Sequence, residues 1–276
     1  MSEFDYKRRR PGRGEPFTAA PTRAVPPSQQ RQQEVRLFGL NACIAAFEAR
    51  PEDLRKVYLT EQRISSLKAV LAWCVKHRIG YRLVADPDLA KLTGSQHHEG
   101  VCFEMRRRPL LSLTELIADQ PPAPIASVLI VFDGVGNPHN FGAVLRSAAN
   151  FGAGGVILTA DAGLSLSGAA YRVAEGGAEA VTLAKPQYGE NLLALLREAG
   201  YSIAATVPTG GESIYANPMP PRVAIVFGAE GSGMSETLIS AADRRLTIPG
   251  TGQVESLNIA ASAAVLLAEH WRLTHD

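Results

Sequence analysis

Downstream of Ser127 the chain alternates short apolar runs with stretches of helical periodicity. The runs "SVLIVF", "GVILT", "AVTLA", "YSIAAT", "VAIVFG" and "RRLTIP" are β-rich, and "NFGAVLRSAANFG" and "NLLALLREAG" fall between several of them. Continuously apolar strands separated by helices predict a parallel sheet covered on both faces. Such sheets bind ligands at the carboxyl ends of their strands. Upstream the pattern is smaller in scale. "LNACIAAFEA" and "LKAVLAWCVKH" carry apolar residues at helical spacing, and "KVYLT", "YRLVA" and "VCFEMR" read as strands. The Pro-rich stretch "ADQPPAPIAS" breaks any helix between the two patterns. The chain therefore divides into a disordered basic, Pro-rich arm (1–34), a small α/β unit (35–108), a linker (109–126) and a parallel-sheet unit (127–276).

Composition changes this picture little. The 276 residues are 46% hydrophobic and 20% charged with a formal net charge of +1, as in an ordinary soluble globular protein. Three scattered cysteines, Cys43, Cys74 and Cys102, form no CxxC pair and indicate neither a disulfide framework nor a zinc site. A reducing cytoplasm is the expected location. No apolar run approaches the ~18 residues of a membrane span, and the N-terminus lacks a signal-peptide core. In the arm, Lys7, Arg8, Arg9, Arg10 and Arg13 suit a phosphate backbone, although a solvated tail has the same composition.

Three strand-end loops carry the candidate chemistry. The first, "FDGVGNPHNFGAVLRSAANFGA", starts a helix near Asn140 that closes around Gly152, with Asn140 a candidate N-cap. Arg146 stands off its apolar face, either solvated or placed to grip a phosphate. The second, "IVFGAEGSGMSE", has three glycines after a strand, where backbone approaches a ligand closely. It is not a P-loop, because Met234 stands where the lysine belongs. Gly228, Gly231 and Gly233 do not fit the dinucleotide spacing either, and "GVGNPH" fails at His139. The third, "GQVESLNIAASAAV", follows Ile248-Pro249 and places Ser256 and Asn258 at the mouth of an alanine-rich helix. Capping accounts for Ser256 but not for Asn258, a mediocre helix former.

Together these loops closely resemble the SpoU, or TrmH-type, RNA ribose 2′-O-methyltransferases of the SPOUT class. Asn140, Gly142 and Arg146 match the first motif of that family. Phe227-Gly228-Ala229-Glu230-Gly231 match the second, and Ile248-Pro249 with Ser256-Leu257-Asn258 match the third. The segment 35–108 is similar, more loosely, to the small RNA-binding domain that many members carry. His97 and His98 then read as structural or RNA-facing residues, not metal ligands.

The resemblance implies a trefoil knot, a homodimer with active sites at the subunit interface, and methyl transfer from S-adenosylmethionine to RNA without a metal. It implies a catalytic set of Asn140, Arg146, Glu230, Ser256 and Asn258, and cofactor contacts at Thr206, Gly228, Ile248 and Leu257. Arg106, Arg107 and Arg108 are candidate contacts to the RNA backbone, or a solvated strand end. Ribosomal RNA, the large subunit foremost, is the expected substrate. The alternatives are transfer RNA, a base methyltransferase of the same fold, and an RNA-binding paralogue without chemistry.

Overall fold

The computed structural model describes residues 33–159 and 164–275, so nearly all of the proposed arm lies outside the described residues. In chain order the first unit contains β1 (Glu34–Phe38), α1 (Leu40–Ala49), β2 (Leu54–Leu59), α2 (Lys68–His77), β3 (Gly80–Leu83), α3 (Asp86–Thr93) and β4 (Val101–Arg106). The strands form one sheet of order β1-β4-β2-β3, antiparallel except for the β2–β3 pair. Alternation along β1 turns Val35 and Leu37 inward, where they join Val57, Leu59, Phe103 and Met105 beneath α1 and α2. Both helices occupy the segments that apolar spacing predicts.

The second unit begins inside the stretch read as a linker. Leu111 bridges Ala184, and α4 (Leu113–Ala118) opens with a reciprocal capping box between Ser112 and Glu115. Then follow β5 (Ser127–Asp133), α5 (Pro138–Asn150), β6 (Gly155–Leu158), α6 (Gly168–Ala174), α7 (Gly177–Ala180), β7 (Leu183–Ala184) and α8 (Leu192–Glu198). The unit ends with β8 (Ser202–Thr206), β9 (Glu212–Ser213), β10 (Arg222–Gly228), α9 (Glu236–Ala241), β11 (Arg244–Thr247) and α10 (Ile259–His275). Its seven strands are all parallel, in the order β7-β6-β5-β10-β8-β11-β9.

Every residue of β5 is buried, as two covered faces require. Val128, Ile130 and Phe132 pack towards α5, α6 and α10, whereas Leu129 and Val131 pack towards α4, α8 and α9. The run "AVTLA" supplies only the two-residue strand β7. The Gly- and Ala-rich segment 168–180, which has little periodicity, forms α6 and α7.

The two units share a core and an ion-pair seam. Arg50, 7% exposed, donates to Glu179 from Nε (3.1 Å) and Nη2 (2.9 Å), and from Nη1 to the Arg106 carbonyl (2.6 Å). Asn41 donates to Glu175 at 2.8 Å, and Arg172 to the His97 carbonyl at 2.8 Å. A buried guanidinium is tolerated only when paired and fully hydrogen-bonded, and Arg50 meets both conditions.

Candidate functional site

The site is assembled at the carboxyl ends of β5, β10 and β11. After β5 the helix α5 starts two residues earlier than expected. Pro138 occupies its first turn, where the missing N–H costs nothing, and Asn137 is the N-cap. The Asn137 side chain accepts from the backbone N–H of His139 (2.9 Å) and of Asn140 (3.4 Å). Asn140 is thus not the cap, and its amide is free for other work. Gly142 of the same motif has a packing role: a Cβ there would lie 2.5 Å from the Ala170 carbonyl oxygen of α6.

Asn140 is 9% exposed and joins the three loops. Its Nδ2 donates to Glu230 Oε1 at 2.7 Å, and its Oδ1 accepts from Asn258 Nδ2 at 3.0 Å. Asn258 in turn caps α10, its Oδ1 accepting from the Ala260 N–H at 2.9 Å. One amide therefore does two jobs, with the oxygen starting the helix and the nitrogen tethering it to the loop after β5. Ser256, the expected cap, lies exposed two residues upstream.

The loop after β10 folds back on itself. Ala229 and Gly233 exchange backbone hydrogen bonds, both 2.9 Å, and Gly231 and Gly233 take φ of 96° and 75°. A Cβ on Gly228 would lie 2.4 Å from the Met234 nitrogen, so this glycine is a steric requirement of the loop. Asp133, at the end of β5 and missed in the sequence, fixes the loop's exit by accepting from the Ser235 N–H at 2.7 Å. A carboxylate at a strand end was the signal for it.

Beside this cluster runs a cleft of about 900 Å³, a volume that suits a small organic ligand. Thr206, Gly228, Ile248 and Leu257, the four expected cofactor positions, all line it, together with Glu230 and Ser256. The Thr206 hydroxyl is spent on the Val226 carbonyl (2.9 Å). Apolar side chains beside exposed loop backbone between 249 and 257 fit a nucleoside with a short polar tail.

Arg146 is not brought into this cluster. Six residues along α5 from Asn140 correspond to about 600° of turn, so it leaves the helix roughly 120° away, ~9 Å further along the axis. It is exposed and, among the described residues, makes no hydrogen bond or ion pair.

The three arginines after β4 differ from one another. Arg106 is exposed, and Arg107 has one long contact to the Leu166 carbonyl at 3.5 Å. Arg108 binds the Ala178 carbonyl at the end of α7 and sits 3.6 Å from Glu179, an anchoring role between the units. His98 is buried, its Nδ1 accepting from the Gly100 N–H at 3.1 Å, and His97 is exposed. Among the described residues no group of three metal-ligating side chains occurs.

Comparison with known proteins places this arrangement. The model of the SpoU rRNA Methylase family matches residues 127–268, and that of RNA 2′-O ribose methyltransferase substrate binding matches residues 36–110. The uncharacterized tRNA/rRNA methyltransferase YfiF of Escherichia coli O157:H7 is 36% identical over 247 residues, covering 88% of this chain and 70% of its own. The 23S rRNA (guanosine-2′-O-)-methyltransferase RlmB of Escherichia coli K12 is 30% identical over 239 residues, covering 84% and 96%. A crystal structure of an RNA 2′-O ribose methyltransferase superposes with a TM-score of 0.72 at 26% identity, covering 90% and 92% of the two chains. An rRNA methyltransferase of Sinorhizobium meliloti, 21% identical over 88% of this chain and 89% of its own, has the same fold at a TM-score of 0.73. With its three motif loops converging on Asn140 and a family model spanning its second unit, the chain belongs to the SpoU rRNA methylase family.

Proposed function

We propose that this protein transfers a methyl group from S-adenosylmethionine to a ribose 2′-hydroxyl of ribosomal RNA. The observation that carries the reading is the Glu230–Asn140–Asn258 chain of hydrogen bonds, which fixes three loops around one edge of the cleft. S-adenosylmethionine supplies an electrophilic methyl on a sulfonium. The loop backbone at Gly228, Ile248 and Leu257, with Thr206, would hold it. Asn140, Glu230, Ser256 and Asn258 then form a polar wall that orients the ribose for in-line attack.

The new C–O bond forms as the S–CH3 bond breaks and S-adenosylhomocysteine leaves, and the 2′-hydroxyl proton passes to solvent water. The remaining task is to manage the negative charge that develops on the 2′-oxygen. Arginine stays protonated, so the role assigned to Arg146 is to bind the neighbouring phosphate and stabilise that charge. Its position off the cleft supports a homodimer in which each copy presents Arg146 to the other's site. Family membership also supports a trefoil knot formed by the loops around β10 and β11, and a cytoplasmic location. No described helix is long and apolar enough to cross a membrane.

The RlmB relatives act on guanosine of 23S rRNA, which favours the large ribosomal subunit over transfer RNA. The test is transfer of labelled methyl from S-adenosylmethionine to separated ribosomal and transfer RNA fractions, with intact ribosomal particles in parallel. Label in the ribosomal fraction supports the assignment. Label confined to transfer RNA would move the substrate, and no label in any fraction would leave an RNA-binding paralogue.

A further inference from the structure

Arg146 has no side-chain partner of its own among the described residues, so its placement rests on the backbone of α5. That backbone is pressed by α7. A Cβ added to Gly177 would lie 2.7 Å from the Leu145 carbonyl oxygen and 2.9 Å from the Arg146 Cα, so nothing larger than glycine fits between the two helices there. α7 thus packs directly against the residue that carries the guanidinium.

α7 in turn takes its place from the first unit, whose Asn41, Arg50 and Arg108 all reach the segment 175–179. Asn41 donates to Glu175 at 2.8 Å, Arg50 to Glu179 at 2.9 Å, and Arg108 to the Ala178 carbonyl. The Glu179 side chain is only 6% exposed, so its carboxylate depends on the pairing with Arg50.

The corner between α6 and α7 is strained as well. Glu175 takes φ of 50° and Gly176 φ of 95°, so two successive residues are left-handed and one of them carries a side chain. A non-glycine residue stays in that region only where its surroundings over-determine it. Here the Asn41 amide holds the corner from one side, and the contact of α7 with α5 holds it from the other.

Building on the methyltransferase reading, we infer that the corner 175–179 is a positioning element for Arg146. The first unit, through Asn41 and Arg50, sets how α7 lies against α5 and so where the Arg146 guanidinium is presented. Asn41, Gly177 and Glu179 are positioning residues: none of them lines the cleft, and each acts through Arg146. The first unit thereby contributes to the rate of methyl transfer itself, besides any hold it has on RNA.

The test measures methyl-label transfer by the full chain to the RNA fraction, ribosomal or transfer, that the wild type labels. Turnover is counted per S-adenosylmethionine-binding site, found by calorimetry. Unfolded protein then drops out of the score, and a residue that serves stability alone leaves this kcat unchanged. In Gly177→Ala, α7 must back away by most of an ångström to regain ordinary contact with Leu145 and Arg146. A misplacement of about 1 Å can cost on the order of 100-fold, so kcat per site should fall about 10- to 100-fold. KM for RNA and affinity for S-adenosylmethionine should stay within about twofold of wild type, because Arg146 acts on the transition state. Asn41→Ala removes only a surface hydrogen bond and should lower kcat about threefold, and Asn41→Gln, which keeps an amide donor, should restore most of that loss.

Wild-type kcat per site in both Gly177→Ala and Asn41→Ala would overturn the positioning role and leave the enzyme assignment standing. So would a loss confined to KM or to S-adenosylmethionine affinity. Should Gly177→Ala fail to fold, the Asn41 variants decide alone, and a wild-type kcat in Asn41→Ala refutes the role. A wild-type chain that neither binds S-adenosylmethionine nor transfers methyl would sink the methyltransferase reading, and this role with it.

Discussion

Replacing Asn258 separates the two roles that its side chain combines. Asn258→Ala removes the cap on α10, worth ~1 kcal/mol, and the tether to Asn140, worth another ~1 kcal/mol. A loss of about 2 kcal/mol in a chain of this size lowers Tm by roughly 4–8 °C. Asn258→Asp keeps the capping oxygen, since Asp caps as well as Asn, but has no N–H to give. Whichever way Asn140 then turns its amide, its oxygen faces a carboxylate, from Asp at 258 or from Glu230. Tm should therefore fall by at least the roughly 2–4 °C that one lost hydrogen bond of ~1 kcal/mol is worth, with the cap retained. Turnover should fall about 100-fold, because the loops lose their common anchor. Thermal denaturation and methyl-label transfer measure the two effects separately. An Asn258→Asp protein with wild-type turnover would refute the reasoning and leave Asn258 as a cap only.

Gly228→Ala forces the Met234 nitrogen and Gly233 away from the new methyl group, so calorimetric binding of S-adenosylmethionine should weaken at least tenfold, about 1.4 kcal/mol; unchanged affinity would show that the loop relaxes freely. Arg50→Met leaves Glu179 buried without its main partner, which costs about 3–5 kcal/mol and should lower Tm by ~10 °C or more. Adding Glu179→Leu should recover part of that loss. Burial holds the His270 pKa below its usual value, aided by the nearby His275 and opposed by the contact to the Pro221 carbonyl at 3.1 Å. The unfolded chain then binds the proton more readily, so stability is complete above about pH 6.5 and declines as pH falls towards the folded-state pKa. His270→Gln should flatten the fall in Tm that sets in below about pH 6.5.

Much of this architecture was legible because apolar spacing dictates it. The limits of α1, the buried run of β5 and the parallel sense of the large sheet's strands all follow from period and continuity, whereas their order across the sheet does not. The start of α5 did not, although its signal was present: an Asn followed by Pro marks a cap and first turn, and Asn137-Pro138 precede the more conspicuous Asn140. The segment 168–180 was illegible for a different reason. Its helices use Gly168 and Gly177 to approach neighbouring backbone and bury the small side chains of Ala170 and Ala178, and small residues leave no hydrophobic period to read.

The site divides along the same line. Residues whose backbone or apolar surface shapes the cleft follow their motif, and Gly228, Ile248 and Leu257 all line it. The hydrogen bonds among Asn140, Glu230 and Asn258 depend on side-chain directions set by three separate strand ends. The direction of Arg146, away from the cleft of its own chain, depends on the helical register of α5. A run of three arginines likewise hides one, Arg108, that is anchored to α7.

The most direct test of ribose methylation is alkaline hydrolysis of RNA labelled by the wild-type protein and by Arg146→Ala. A 2′-O-methyl group blocks cleavage at its own phosphodiester, whereas a methylated base does not. Label from the wild type should therefore remain in alkali-resistant dinucleotides and be absent with Arg146→Ala. Label released entirely as mononucleotides would contradict ribose methylation and assign the chemistry to a base.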